Sequence, residues 1–203
     1  QIAIGILGYG SIGQELHKQI LNESNTLQEK ENISLEVIGL SNRQKMMLKD
    51  ESIDLQSAST VYEKSESLEQ SDTNKMIKHM IAKPASSRII IDCSASDEIP
   101  DQYENIFENE INIVTANKKG LSGSFERYHS IMKAKESNGI NFLYETTAGA
   151  ALPFIKSVSD ISSSSDEVRK IEGIFSETSI KRQSSLIICF SFSFRRPKQD
   201  LML

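Results

Sequence analysis

The chain has 203 residues, 38% hydrophobic and 25% charged, which fits a globular protein of one large domain or one and a half. Its 23 Lys and Arg against 28 Asp and Glu give a net charge of −5, a balance that argues against a nucleic-acid partner, and no apolar run approaches the roughly 20 residues of a membrane helix. Two cysteines, Cys93 and Cys189, have neither metal spacing nor a disulfide framework, so a reducing compartment such as the cytoplasm is expected.

Gln1–Leu7 is apolar and β-rich and runs into Gly8-Tyr9-Gly10-Ser11-Ile12-Gly13. A helix is expected next, with Ile12, Leu16, Ile20 and Leu21 on its apolar face. The polar stretch Ser24–Asn32 reads as a helix end plus loop, and Leu35–Leu40 as a second strand ending at Ser41-Asn42-Arg43. Asp50–Ser87 is rich in Ser, Glu and Lys and suggests one or two peripheral helices. Their stripe of Met76, Ile77, Met80 and Ile81 suits core packing better than a cofactor role.

Ile89–Gly120 carries the most information. It reads as a buried strand ending in Asp92, a Cys-Ser-Ala-Ser turn, a helix from Ile99-Pro100, and a strand Ile111–Thr115 followed by Asn117-Lys118-Lys119. That is the length of a parallel βαβ unit, whose ligands lie at the carboxyl ends of its strands. A helix Phe125–Asn138 capped by Gly139, a strand Asn141–Tyr144, a helix Ala151–Ser162 with Pro153 in its first turn and a strand Lys170–Phe175 complete the pattern. Ser179–Leu203 has a different, locally strand-like character and does not read as the finish of an α/β domain.

Gly8-x-Gly10-x-x-Gly13 sits where a dinucleotide motif must sit, after a strand and opening a helix. Gly8 permits the tight turn, Gly10 the approach of a pyrophosphate and Gly13 close helix–strand packing, while amides at Ser11 and Ile12 face the phosphates. The alternative is a glycine turn serving packing alone. No acidic residue follows Leu40 to hold a ribose diol, and Arg43 suits a ribose 2′-phosphate, which favours NADP over NAD unless Arg43 is a solvated charge. Lys118 and Lys119 at a strand end are candidates to stabilise a carbonyl oxygen or relay a proton, one pointing in and one away, or else two solvated lysines. The small-residue turn after Glu145 suits either tight packing or a hard cation beside that carboxylate. The histidines, His17, His79 and His129, are expected to be structural or solvated.

Together GILGYGSIG, IIIDCSASDEIPDQY, IVTANKKGLSG, FLYETTAGAALPFI and SSSDEVRKIEGIFS resemble homoserine dehydrogenase, and the helix and loop around residues 13–43 look like the form fused to an aspartate kinase. A kinase preceding Gln1 would account for the missing initiator Met. The resemblance implies an NAD(P)-dependent interconversion of L-aspartate 4-semialdehyde and L-homoserine, a step towards threonine and methionine. It further implies Gly8, Gly10 and Gly13 on the dinucleotide, Ser94 or Ser96 near the nicotinamide half, and Lys118 as the catalytic lysine that also reaches the cofactor. Glu145 with the carbonyls of Ala148, Ala150 and Leu152 would hold a monovalent cation such as sodium. A family-like homodimer is possible, and a plant-like protein would be plastidic. The resemblance ends near residue 178, where the family's later acidic residues and second lysine are not matched.

The expected fold is α/β: a Rossmann-type parallel sheet over residues 1–145, the start of an α+β catalytic domain over 146–178, and an aberrant tail over 179–203. The rival functions are a non-catalytic NADP-binding remnant and another Rossmann oxidoreductase acting on a different carbonyl.

Overall fold

The computed structural model describes residues 1–54, 58, 62, 68–149, 152–164 and 171. The chain divides into two compact units, Gln1–Tyr144 and a second from Glu145 onward. In the first, the strands are β1 Ile2–Leu7, β2 Leu35–Ser41, β3 Lys45–Leu48, β4 Glu69–Gln70, β5 Ser87–Asp92, β6 Asn112–Thr115 and β7 Phe142–Leu143. They form one sheet in the order β4-β3-β2-β1-β5-β6-β7. β2, β1, β5, β6 and β7 are mutually parallel, whereas β3 and β4 are added antiparallel. The sheet is therefore mixed rather than purely parallel, because β2 folds straight back through a short turn into β3.

That turn is closed by Asn42, whose side-chain oxygen accepts from the amides of Gln44 and Lys45, each at 2.8 Å. Three apolar residues, Met46, Met47 and Leu48, give a weak strand signal after such a turn, and β3 is not among the expected elements. The helices are α1 Ser11–Glu31, α2 Thr73–Ala82, α3 Tyr103–Glu108 and α4 Phe125–Asn138. α1 continues through the stretch expected to be loop. Ser24–Glu31 is polar but contains no Gly or Pro, and its Glu, Gln and Lys are good helix formers. The helix stops only at Asn32, which takes the left-handed conformation with φ 54°.

Alternate residues of β1 feed two cores. Ala3 and Leu7 pack with Met76, Ile77 and Met80 of α2 and with Tyr103, Ile106 and Phe107 of α3, whereas Ile4 and Ile6 pack with Ile20 of α1 on the opposite face. The α2 stripe is thus core, except for Ile81, which is exposed. A Cβ at Gly39 would lie 2.3 Å from the Met76 sulfur, so that glycine makes room for α2. β1 lies between β2 and β5, and the chain leaves it in opposite directions on its two sides. The crevice at the carboxyl ends of β1 and β5 is the switch point where such sheets take ligands.

In the second unit, α5 spans Phe154–Ser163 with Pro153 as its N-cap. The strand expected at Lys170–Phe175 lies outside the described residues save for Ile171, and the Ser179–Leu203 tail lies outside them altogether. Among the described residues no helix is long and apolar enough to cross a membrane.

Candidate active site

Two turns at the carboxyl ends of the strands, after β1 and after β6, carry the candidate groups, with the turn after β5 between them. The first is the glycine loop after β1. Gly8 has φ +87°, and a Cβ there would meet the Ser94 amide nitrogen at 2.5 Å, so only glycine lets this loop close on the turn after β5. Gly13 is buried, and its Cβ would lie 2.7 Å from the Gly8 carbonyl oxygen. Around Gly10, by contrast, a Cβ would meet no heavy atom within 4 Å among the described residues beyond its chain neighbours. α1 has no side-chain cap and no acidic residue in its first turn. Free first-turn amides, open space and no competing carboxylate are what a pyrophosphate needs, so the residues present fit a dinucleotide.

Ile12 is 59% exposed and does not belong to the apolar face of α1 as expected. It stands beside Gly10 and Ser11, which are also exposed, at the open surface of the loop. The buried face of α1 is Gly13, His17 and the expected Ile20, with the expected Leu16 partly buried against the same core. His17 pairs through Nδ1 with the Tyr9 hydroxyl, and its Nε2 is buried without a partner among the described residues. Burial pushes its pKa down from 6.5 to about 4, so at neutral pH it is an uncharged structural group. Tyr9 also packs edge-on against Tyr62 at 5.2 Å, which roots the loop in the core.

The carbonyl of Ser41 accepts from the amides of Gly8 at 2.8 Å and Tyr9 at 2.7 Å. The end of β2 is therefore tied to the glycine loop, two residues before Arg43. Arg43 is exposed at the tip of the Asn42 turn, and none of the ion pairs among the described residues includes it.

The second turn follows β6. Beneath it lies a buried network that no motif announced. The Asp92 carboxylate, at the end of β5, is fully buried. It accepts from the Ser94 amide at 2.8 Å, the Tyr103 hydroxyl at 2.7 Å and Asn117 Nδ2 at 3.0 Å. The Tyr103 hydroxyl also lies 2.9 Å from Thr115 Oγ1. Burial, and then the Asp92 charge, push the Tyr103 phenol far above its ordinary range, so it stays a donor. Cys93, beside the network, is likewise raised to about 11 by burial and by Asp92, and is no thiolate nucleophile.

Ser94 and Ser96 are both half-buried and shape the turn after β5. The Ser94 hydroxyl accepts from the Ser96 amide at 3.2 Å, and the Ser96 hydroxyl from the Glu98 amide at 3.1 Å. A 3-10 turn, Ile99–Gln102, leads from there into α3.

Lys118 and Lys119 lie on a 3-10 turn, Lys118–Gly120, rather than on the strand. Gly120 seats this turn against Pro100 and Tyr103, each 3.2 Å from a built Cβ. Both lysines are exposed, so the expected inward and outward pair is not seen, and the two differ in pairing instead. Lys119 Nζ pairs with Asp97 at 2.5 Å, whereas Lys118 is exposed and enters none of the ion pairs among the described residues. Arg127 of α4 pairs with Asp101 and donates to the Asp97 carbonyl at 2.6 Å, bracing the same corner.

In the second unit Glu145 has a local task. Its two carboxylate oxygens accept from the amides of Ile155 at 2.8 Å and Lys156 at 3.0 Å, so it caps α5. The Leu152 carbonyl accepts from the Phe154 amide at 2.8 Å. Ala150 lies outside the described residues. Among the described residues no group of three or more His, Cys, Asp and Glu could hold a metal ion.

Asp92, Tyr103 and Thr115 were not singled out from sequence as site residues. The available signal was an acid ending a run of isoleucines and a tyrosine one helical turn before Ile106 and Phe107.

This geometry can be set beside known proteins. The family model described as the NAD binding domain of homoserine dehydrogenase matches residues 8–145. The chain is 32% identical over 178 residues to the chloroplastic bifunctional aspartokinase/homoserine dehydrogenase 2 of Zea mays, covering 87% of this chain and 19% of that protein. It is 31% identical over 199 residues to the bifunctional aspartokinase/homoserine dehydrogenase of Buchnera aphidicola, covering 98% of this chain and 22% of that one. The chain thus spans about a fifth of the length of these relatives. Among solved structures, homoserine dehydrogenase from Thermoplasma acidophilum superimposes with a TM-score of 0.68 at 25% identity, over 88% of this chain and 53% of that one. A mixed sheet with a glycine loop at its switch point and a family match over residues 8–145 lead to one assignment: the chain belongs to the homoserine dehydrogenase family, residues 8–145 matching that family's NAD binding domain.

Proposed function

We propose that the protein is an NADP-dependent homoserine dehydrogenase, interconverting L-aspartate 4-semialdehyde and L-homoserine. The observation that carries this reading is the pair of lysines after β6. One pairs with Asp97, and the other enters no ion pair among the described residues, on a braced turn that Asn117 bonds to Ser94, against which Gly8 of the glycine loop closes. When bound, the nicotinamide would supply or accept the hydride. The chain's own residues would do the rest. Amides of the first turn of α1 hold the pyrophosphate, with Gly10 leaving room for it. Arg43 takes the ribose 2′-phosphate, and Ser94 or Ser96 borders the nicotinamide half. The Lys118 ammonium stabilises negative charge on the carbonyl oxygen as hydride arrives and gives or takes the proton there. Threonine and methionine biosynthesis would be the setting.

Glu145 and the carbonyls of Ala148, Ala150 and Leu152 would form a monovalent-cation site, with the Glu145 oxygens shared between the cation and the α5 amides. A second reading, a nucleotide-binding remnant without turnover, draws on the expectation from sequence that residues 179–203 leave the family pattern. Titration with NADPH and NADH, followed by an assay with aspartate semialdehyde, separates the two. Tight NADPH binding with turnover supports the enzyme, binding without turnover supports the remnant, and turnover of another carbonyl alone rejects the substrate assignment.

A further inference from the structure

We propose that Asn117 is a positioning residue for Lys118, acting by joining the serine turn after β5 to the lysine turn after β6 through a single carboxamide. The inference rests on reading Lys118 as the reacting lysine. Asn117 is 1% exposed, so its hydrogen bonds are made inside the protein. Its Nδ2 donates to the Ser96 carbonyl at 2.8 Å, to Asp92 Oδ2 at 3.0 Å and to Ser94 Oγ at 3.3 Å. Its Oδ1 accepts from the Lys119 amide at 3.1 Å, and its own amide donates to Thr115 Oγ1 at 3.0 Å. Three oxygens on one side and an N–H on the other dictate which way the carboxamide faces.

Asp92 makes that orientation matter. None of the ion pairs among the described residues includes its buried carboxylate, which is held by the Ser94 amide, the Tyr103 hydroxyl and Asn117. A buried charge satisfied by neutral donors is costly when one donor is withdrawn. Aspartate has the size of asparagine but opposite polarity. At position 117 it would set a carboxylate against that of Asp92 and an oxygen against the Ser96 carbonyl.

The sheet itself does not depend on this side chain. β5 and β6 pair through main-chain bonds from Ile89–Asn112 to Asp92–Thr115, and the Ala116 amide donates to the Asp92 carbonyl at 2.9 Å. Loss of the carboxamide therefore loosens the two turns and leaves the strands in register. Two amides report on the lysine directly, because the Lys118 carbonyl accepts from Leu121 at 3.3 Å and Ser122 at 3.0 Å.

The test compares the parent protein with Asn117→Asp and Asn117→Ala, the alanine variant serving if the aspartate variant does not fold. Residue-resolved amide exchange without ligand should quicken about 10-fold at Leu121 and Ser122, the scale of one lost hydrogen bond, with Ile113 and Val114 unchanged. With NADPH and aspartate semialdehyde, kcat should fall about 100-fold while the KM for NADPH stays within about 3-fold, the pattern of a displaced reacting group. Exchange that is unchanged at the turn, or equally faster throughout β6, overturns the proposal. So does a loosened turn with parental kcat. If the parent binds NADPH but does not reduce the aldehyde, the functional reading fails separately. The exchange pattern then still decides, turn-restricted loosening upholding the coupling and its absence overturning it.

Discussion

The glycine loop follows β1 and the lysine turn follows β6, on either side of β5, and the two are built by different means. Between Gly8 and Gly13 the shape depends on missing side chains and on main-chain bonds to the Ser41 and Gly8 carbonyls, with the Tyr9 side chain rooting the loop in the core. Between Asn117 and Gly120 the shape depends on side chains, those of Asn117, Thr115 and Tyr103 anchored on Asp92, and the Lys119–Asp97 pair. A surface that grips phosphates needs room and converging amides, which glycine supplies. A single group that must meet a reacting atom needs its direction held, which takes buried directional bonds. The two turns divide binding from chemistry, and variants in each should fail differently.

The largest effect belongs to Lys118→Ala. Without an ammonium to stabilise the developing oxyanion or relay its proton, kcat should drop roughly 100- to 1,000-fold, with NADPH affinity changed much less. Steady-state kinetics beside a fluorescence titration measure both. A loss of less than about 5-fold in kcat would remove Lys118 from the chemistry.

On the glycine-loop side, the corresponding break is acid. His17 stays neutral in the folded protein down to about pH 4, whereas the unfolded chain takes up its proton near 6.5. Stability is therefore undiminished above pH 6.5 and falls as the pH drops from there to 4, by about 3 kcal/mol in all. Chemical denaturation at pH 7, 6 and 5 should show that decline, and His17→Gln should flatten it. An unchanged pH slope in the variant would assign the acid sensitivity to other groups.

The same division explains what was legible in the sequence. Gly8, Gly10 and Gly13 announce themselves because spacing alone encodes the loop, and Ile89–Thr115 is legible as a βαβ unit from its apolar runs. Asp92, Tyr103 and Asn117 are 11 to 25 residues apart along the chain and meet only when β5, α3 and β6 pack. No local period signals such a partnership. The antiparallel β3 escaped because a four-residue strand has too few alternations. The run-on of α1 is hidden because polar residues resemble a stop that only Asn32 supplies. Glu145 was recognised as important, but its bonds to the α5 amides could not be foreseen from spacing.

Cofactor choice is the next sharpest break. Arg43 is exposed two residues beyond the Ser41 carbonyl that anchors the glycine loop. A charge-assisted hydrogen bond to a phosphate contributes about 1.5–3 kcal/mol, and about 1.4 kcal/mol is a factor of ten. NADPH should therefore bind about 10- to 100-fold more tightly than NADH, and Arg43→Ala should erase most of that preference while sparing NADH. Equal weakening of both cofactors, or of neither, would leave Arg43 a surface charge.

The smallest predicted effect is the most discriminating, because it compares two adjacent residues of the same kind. Lys119 and Lys118 share a turn, a charge and a side-chain length, and differ in that Lys119 pairs with Asp97. That pair is exposed, with side chains 46% and 70% accessible, so solvent screens it, and pairs of this kind contribute about 0.2–1 kcal/mol. The corner keeps its other braces when the pair is lost, since Arg127 still holds Asp101 and the Asp97 carbonyl. The amide of Lys119, which Asn117 needs, is main chain and survives the substitution. Lys119→Ala should therefore lower stability by less than about 1 kcal/mol and leave kcat within about 3-fold, against the loss of at least about 100-fold at Lys118. Thermal denaturation and kinetics on the two alanine variants side by side check this. If both lose activity to the same degree, the ion pair does not sort the lysines, and the turn contributes its charge as a whole rather than through Lys118.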